Sequence, residues 1–116
     1  MSLSETVSKI DGLSDEEQEC IEICNEATQT SEWCADECLG MEEMEECARM
    51  CRDVADITSL HARLMARDSD YSGHLAEACA EICEACAEEC SQHDHDHCQV
   101  NAEVLERCAE SCRSMA

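Results

Sequence analysis

Thirteen cysteines fall within 116 residues, and twelve of them form six Cys-x-x-x-Cys pairs: Cys20/Cys24, Cys34/Cys38, Cys47/Cys51, Cys79/Cys83, Cys86/Cys90 and Cys108/Cys112, with Cys98 left over. Residues four apart on an α-helix share one face, their Cβ atoms roughly 5–6 Å apart. Each pair can therefore present two sulfurs to one soft metal ion. The chemistry indicated is thiolate coordination, repeated along helices.

Copper(I) matches this array best. It is soft, it is selected by thiolate and thioether ligands, and two sulfurs on one helix face suffice for it. Charge points the same way. Thirteen thiolates sealed in a protein interior would be prohibitively costly, but about one monovalent ion per thiolate leaves the core near neutrality. A Cys₄ zinc site would keep a residual charge of about −2, and its usual Cys-x-x-Cys spacing occurs only at Cys83/Cys86. Neither standard ferredoxin spacing is present. The alternatives are a zinc or iron–sulfur redox protein, with a few reactive exposed cysteines, or a structural helical protein stapled by disulfides. In the disulfide reading Cys34/Cys38 would face Cys47/Cys51, and Cys86/Cys90 would face Cys108/Cys112, a geometry that bridges allow.

Around the cysteines stand residues that could extend the ligand set. Met41 and Met44 flank Cys38 and Cys47, where thioethers could pass Cu(I) inward or simply fill a helix turn. His93, His95 and His97 alternate in an acidic loop, and His97 is favoured as a ligand because it adjoins Cys98. His61 is either a ligand or a core histidine satisfied by its neighbours. Trp33 reads as helix packing or an oligomer contact, and Asn101 needs a polar partner if it is buried.

Helices must position these groups. The chain has no proline and three glycines, so helix is the default throughout. Four segments are expected: about 15–39, opened by a Ser14/Glu17 capping box and closed by Gly40, then 41–67, 74–92 and 97–114. A short helix over 5–10 could precede them. The third segment steps Cys79, Cys83, Cys86, Cys90, the 4-3-4 spacing of a seam facing a bundle axis. The same rule aligns Cys20, Cys24, Ala27, Ser31, Cys34 and Cys38 on the first helix. On the second it aligns Met44, Cys47, Cys51, Val54, Thr58, His61 and Met65, and on the fourth Cys98, Asn101, Leu105, Cys108 and Cys112. Short connections then predict an all-α, antiparallel up-down-up-down four-helix bundle with a cysteine-lined core, sulfur running from end to end. Cys34, Cys38, Met41, Met44, Cys47, Cys90, Cys98 and the histidine loop gather at one end. The expected domain is single, 1–116, with residues 1–13 as an extension or short helix.

Composition bounds the partners. Leu, Ile, Val and Phe number 16 of 116, and the formal net charge is −22, a combination that ordinarily leaves a chain disordered. Buried cysteine and bound metal supply what an aliphatic core would. Twenty-nine acidic residues against one Lys and six Arg exclude a phosphate-backbone binder and suit a solvated coat in high salt, so a halophilic source is expected. No leader or membrane-span pattern is read at the N-terminus, so a cytoplasmic location is expected, where dense cysteine favours metal over disulfides. The odd cysteine count agrees. No nucleophile, base and oxyanion donor come together as a catalytic set.

The segments "HLAEACAEICEACAEECSQHDHDHCQ", "CAESCRSMA", "CARMCRDVADI" and "LMARDS" resemble the four-helix-bundle copper storage proteins, a cysteine-rich family formerly labelled ferredoxin-like. The resemblance covers about residues 15–116. It implies a bundle holding many Cu(I) ions through Cys-x-x-x-Cys thiolates, with Met or His near the mouth, assembled as a tetramer, and it looks like the cytosolic branch. A copper chaperone or low-molecular-weight thiol is a conceivable donor. The chain departs from the cysteine-richest members at Ala27, Ser31, Asn101 and Leu105, which implies lower capacity at those levels.

Overall fold

The computed structural model describes Glu5 and residues 12–116. Among the described residues four helices form and no strand: α1 Asp15–Cys38, α2 Glu45–Ala66, α3 Ser72–Ser91 and α4 Asp96–Met115. The short helix expected over 5–10 lies outside the described residues, apart from Glu5. Helices α1 and α3 each pack against both α2 and α4, whereas the backbones of α1 and α3, and of α2 and α4, stay apart across the diagonals. This is the expected antiparallel four-helix bundle.

Its boundaries follow from local chemistry. Ser14 Oγ accepts the Glu17 N–H at 3.1 Å and Glu17 Oε1 accepts the Ser14 N–H at 3.1 Å, which satisfies two amides that the helix itself cannot. Asp15, Glu16 and Glu17 in the same turn complement the positive end of the helix dipole. Gly40, at φ +79°, ends the run beyond α1 in a conformation a Cβ would disfavour. Helix α2 starts at Glu45 rather than at Met41. Glu43 takes φ +68°, outside the helical region, so residues 39–44 form a turn with the Met44 N–H on the Met41 carbonyl at 3.4 Å. At the far end of α2, Asp68 adopts φ +51°. The Ser69 and Asp68 amides bond back to the Leu64 and Met65 carbonyls at 3.0 and 3.1 Å, a Schellman stop made without glycine. The break before α3 thus ends at Tyr71, and Gly73 lies inside the helix.

The four seams hold as expected. Every seam residue from Cys20 to Cys112 is at most 3% exposed. Alanines flank the cysteines, with Ala35, Ala80, Ala87 and Ala109 each 3% exposed, so the interior is built from small side chains that let the helices approach closely. Few larger apolar groups are fully enclosed, chiefly Leu105 and Val54. Thiols take the place of an aliphatic core.

Two substitutions test this reading of the ends. Ser14→Ala removes the N-cap and should lower the unfolding free energy of the reduced protein by about 1 kcal/mol. Glu43→Gly relieves the left-handed residue and should raise it by up to about 1 kcal/mol, both measured by denaturant titration. A stabilising Ser14→Ala or a destabilising Glu43→Gly would contradict the assignment.

Candidate metal centre

The bundle sorts its thirteen cysteines into two groups. At the end carrying the α1–α2 and α3–α4 turns, Cys34 and Cys38 of α1 meet Cys47 and Cys51 of α2, Cys86 and Cys90 of α3 and Cys98 of α4. Two overlapping sets there, Cys34/Cys47/Cys51/Cys90 and Cys34/Cys38/Cys47/Cys98, hold all four sulfurs within 4.8 Å of one another. Sulfur contacts include Cys47–Cys90 at 3.7 Å, Cys51–Cys86 at 3.8 Å and Cys86–Cys90 at 3.9 Å. His97, in the first turn of α4, turns Nδ1 toward Cys34 at 3.4 Å, Cys98 at 3.5 Å and Cys38 at 3.9 Å. Its 8% exposure makes it the outermost buried ligand. We call this the mouth group.

The deep group lies at the opposite end. Cys20 and Cys24 of α1, Cys79 and Cys83 of α3 and Cys108 and Cys112 of α4 assemble around Cys112. Its sulfur lies 3.5 Å from Cys79, 3.8 Å from Cys24 and 3.9 Å from both Cys20 and Cys108. Helix α2 contributes no cysteine here and supplies His61 instead, with Nδ1 at 3.5 Å from Cys112 and 3.6 Å from Cys24. The sets Cys24/Cys79/Cys108/Cys112 and Cys20/Cys24/His61/Cys112 again fit within 4.8 Å. Nε2 of His61 is buried without a hydrogen-bond partner, an expensive position.

The sulfur lining expected from end to end is interrupted. Between the groups lie Ala27 and Ser31 of α1, Val54 and Thr58 of α2, and Asn101 and Leu105 of α4, all fully buried. Asn101 finds the polar partners its burial requires. Its Oδ1 accepts from Thr30 Oγ1 at 2.8 Å and Ser31 Oγ at 3.3 Å, while Nδ2 donates to Cys51 at 3.5 Å and Cys90 at 3.8 Å. Thr58 gives its hydroxyl to the Val54 carbonyl at 2.7 Å and lies 2.8 Å from the Thr28 hydroxyl. The layer is thus self-satisfied. Thr30 escaped the sequence reading because it stands one position off the seam.

Of the two facings expected in the disulfide reading, Cys34/Cys38 do meet Cys47/Cys51, as free thiols, but the second does not form. Cys86/Cys90 face Cys47/Cys51, not Cys108/Cys112, because α2 and α3 are neighbours at the mouth while Cys108 and Cys112 lie at the far end. All thirteen cysteines are free thiols.

Within each group the thiols do not share acidity evenly. Neighbouring thiols, Cys34 first, donate to Cys90 and hold it far below its ordinary value. Cys108 and three other thiols do the same for Cys112. Cys79 is lowered to about 3, chiefly by Cys108, and Cys47 to about 7, chiefly by Cys34. The donors are pushed up in turn, Cys20 to about 12 with Cys112 the main cause. Burial dominates at the mouth, raising Cys98 to about 12 and Cys38 to about 11. Within each group some thiols are thus shifted toward the thiolate by donating neighbours and others away from it, and each cation that binds displaces thiol protons. Burial works against a charged His61, but Cys112 and Cys79 outweigh it and raise the ring to about 9.

Of the remaining sequence candidates, Met44 is buried at 3% as the N-cap of α2, one turn before Cys47. Met41 is half-buried in the preceding turn and packs against the core. His93 turns away to Glu89, Nε2 to Oε2 2.7 Å. The exposed His95 stacks on His97 with ring centroids 5.4 Å apart, and Trp33 sets a ring edge against His97 at 6.1 Å. Gln99 ties the loop down through the His93 carbonyl at 2.6 Å.

The His61–Cys112 contact is directly testable. In the reduced, metal-free protein, an NMR titration should find His61 still protonated at neutral pH and titrating near 9 rather than at its ordinary 6.5, and Cys112→Ala should bring the midpoint down. A midpoint at or below 6.5 in the unsubstituted chain contradicts the pair.

The chain is similar in sequence and fold to known proteins. The family model described as copper storage protein matches residues 13–116. A cysteine-rich protein of Bacillus subtilis strain 168, YhjQ, is 41% identical over 100 residues, covering 84% of this chain and 93% of its own. Apo copper storage protein 3 of Bacillus subtilis superposes with a TM-score of 0.80 at 44% identity, over 84% of this chain and 95% of that one. The Cu(I)-bound copper storage protein BsCsp3 gives 0.83 at 40%, over 88% and 99%. A cytosolic copper storage protein from Streptomyces lividans, with five coppers, gives 0.82 at 32%, over 87% and 92%. A buried thiol array on a matching four-helix scaffold, over nearly the whole chain, places this protein in the copper storage protein family.

Proposed function

We propose that this chain stores Cu(I), binding many ions through the thiolates of its bundle core and releasing them to a stronger thiol or protein acceptor. The observation that carries the reading is the ligand chemistry. Four four-atom sets, overlapping in two pairs, three of sulfur alone and one of three sulfurs with an imidazole, are buried in one bundle, and a soft monovalent cation neutralises such sets without accumulating charge. Copper is cargo here, and each ion displaces a thiol proton as it binds. The role is binding, not catalysis.

All thirteen cysteines are assigned as ligands. His97 and His61 serve as the imidazole ligands of the mouth and deep groups, and Met44 and Met41 act as thioether relays into the mouth. The chain acts as one domain, residues 1–116, with the bundle as its working part. A cytoplasmic location follows from the thiol chemistry and is supported by the cytosolic relative from Streptomyces lividans. No described helix is long and apolar enough to cross a membrane. Assembly as a homotetramer rests on the family resemblance, with Trp33, Leu39 and Val100, each at least 37% exposed, available for a subunit contact. The acidic coat suits a halophilic cytoplasm. The copper donor is a chaperone or a low-molecular-weight thiol.

Anaerobic titration of the reduced protein with Cu(I) against a competing chelator should saturate near one copper per cysteine, about 13 per chain. Saturation at one or two ions, or retention of zinc in preference to copper, would overturn the assignment. Cys83→Ser with Cys86→Ser should lower capacity by roughly the thiols removed and leave the apo fold intact by circular dichroism.

A further inference from the structure

Resting on the storage reading, we propose that this chain holds its copper in two separate compartments, and that the deep one fills and empties through the mouth one across a single sulfur step, Cys83 to Cys86. No set of three or more ligand atoms within 4.8 Å of one another spans the two groups among the described residues. The layer between them is not merely poor in sulfur but closed to Cu(I). Leu105 and Val54 fill its centre without exposure and offer no donor atom. The amide oxygen of Asn101 is a hard donor ill-suited to Cu(I) and is occupied by the Thr30 and Ser31 hydroxyls, and the amide presents its N–H groups to Cys51 and Cys90. A donor N–H repels a cation and stabilises a thiolate, so Asn101 forms a floor for the mouth group rather than a rung of a ladder.

Three helices contribute residues to this layer, and α3 contributes none. Its seam passes from Cys83 of the deep group to Cys86 of the mouth group in three residues, one face of one helix. Among the four helices it is the one on which a thiol of each group lies within a single turn. The entrance is also single. Every cysteine of the deep group and His61 are at 0% exposure, whereas Cys38 and His97 at the mouth reach 3% and 8%. Beyond the deep group, Leu13, Met65 and Met115 pack against the core and cover that end. An ion crossing the layer gives up thiolate partners that it keeps when moving within a group, and a barrier higher by only 1.4 kcal/mol slows exchange about tenfold.

The test is copper removal. Fully loaded, reduced protein is mixed with excess chromogenic Cu(I) chelator under anaerobic stopped flow. Release should occur in two phases with amplitudes near seven to six, the cysteine counts of the mouth and deep groups, and rates at least about tenfold apart. Cys47→Ser with Cys51→Ser should reduce the fast amplitude alone. Cys83→Ser with Cys86→Ser should slow the remaining slow phase by a further factor of about ten. Asn101→Cys with Leu105→Cys, which continues the α4 seam in sulfur, should merge the phases. A single phase from the unsubstituted protein at full stoichiometry overturns the compartments and leaves storage standing. A slow phase indifferent to Cys83 and Cys86 overturns the route. Binding of only one or two ions overturns both readings.

Discussion

Everything in this bundle depends on the cost of burying charge on sulfur. A thiol is a small apolar group that packs well and requires little of its surroundings, and a thiolate in the same place is intolerable without a cation beside it. The protein uses the first property to fold and holds the second in reserve. Seam positions that a conventional bundle would give to leucine are given to cysteine and alanine, so the helices close on an interior that is neutral when protonated and can become neutral again when each proton is exchanged for a soft monovalent ion. Cys90 and Cys112, each surrounded by donating thiols, are the positions where the thiolate is least disfavoured.

The outer surface obeys the opposite rule. Few cations answer the acidic side chains. Among the described residues Arg107 pairs with Glu26 at 3.5 Å and Arg113 with Glu84, contacts that link α4 to α1 and α3. Exposed pairs of this kind stabilise little. The remaining carboxylates keep the bundle soluble and give a cationic metal species a favourable approach, while selection is left to the sulfur behind the mouth.

Much of this was legible in the chain because cysteine spacing carries register as well as chemistry. The 4-3-4 steps on α3 set the seam, and extending it to helices with fewer cysteines correctly placed Ala27, Ser31, Val54, Thr58, Asn101 and Leu105 in the core. What periodicity does not encode is how interruptions on different helices line up. Each gap looks local along its own helix. Only antiparallel packing brings the gaps of α1, α2 and α4 to one level and turns four stripes into two groups. The α1–α2 turn was misplaced for a backbone reason: Met41 to Met44 have good helical propensity, but Glu43 adopts a left-handed conformation that no pattern of side chains announces. Thr30, off the seam, mattered only once Asn101 had a definite orientation.

Trp33 is the one tryptophan of the chain, and it stands edge-on to His97 on the solvent side of the mouth. Among the described residues no indole lies at the far end, where the buried ring is the imidazole of His61 and Tyr71 stands exposed in the α2–α3 turn. The chain therefore carries its one indole at its threshold and none in its depths. Traffic past the entrance has an optical signature, while copper settled beyond the Asn101 layer is silent to it.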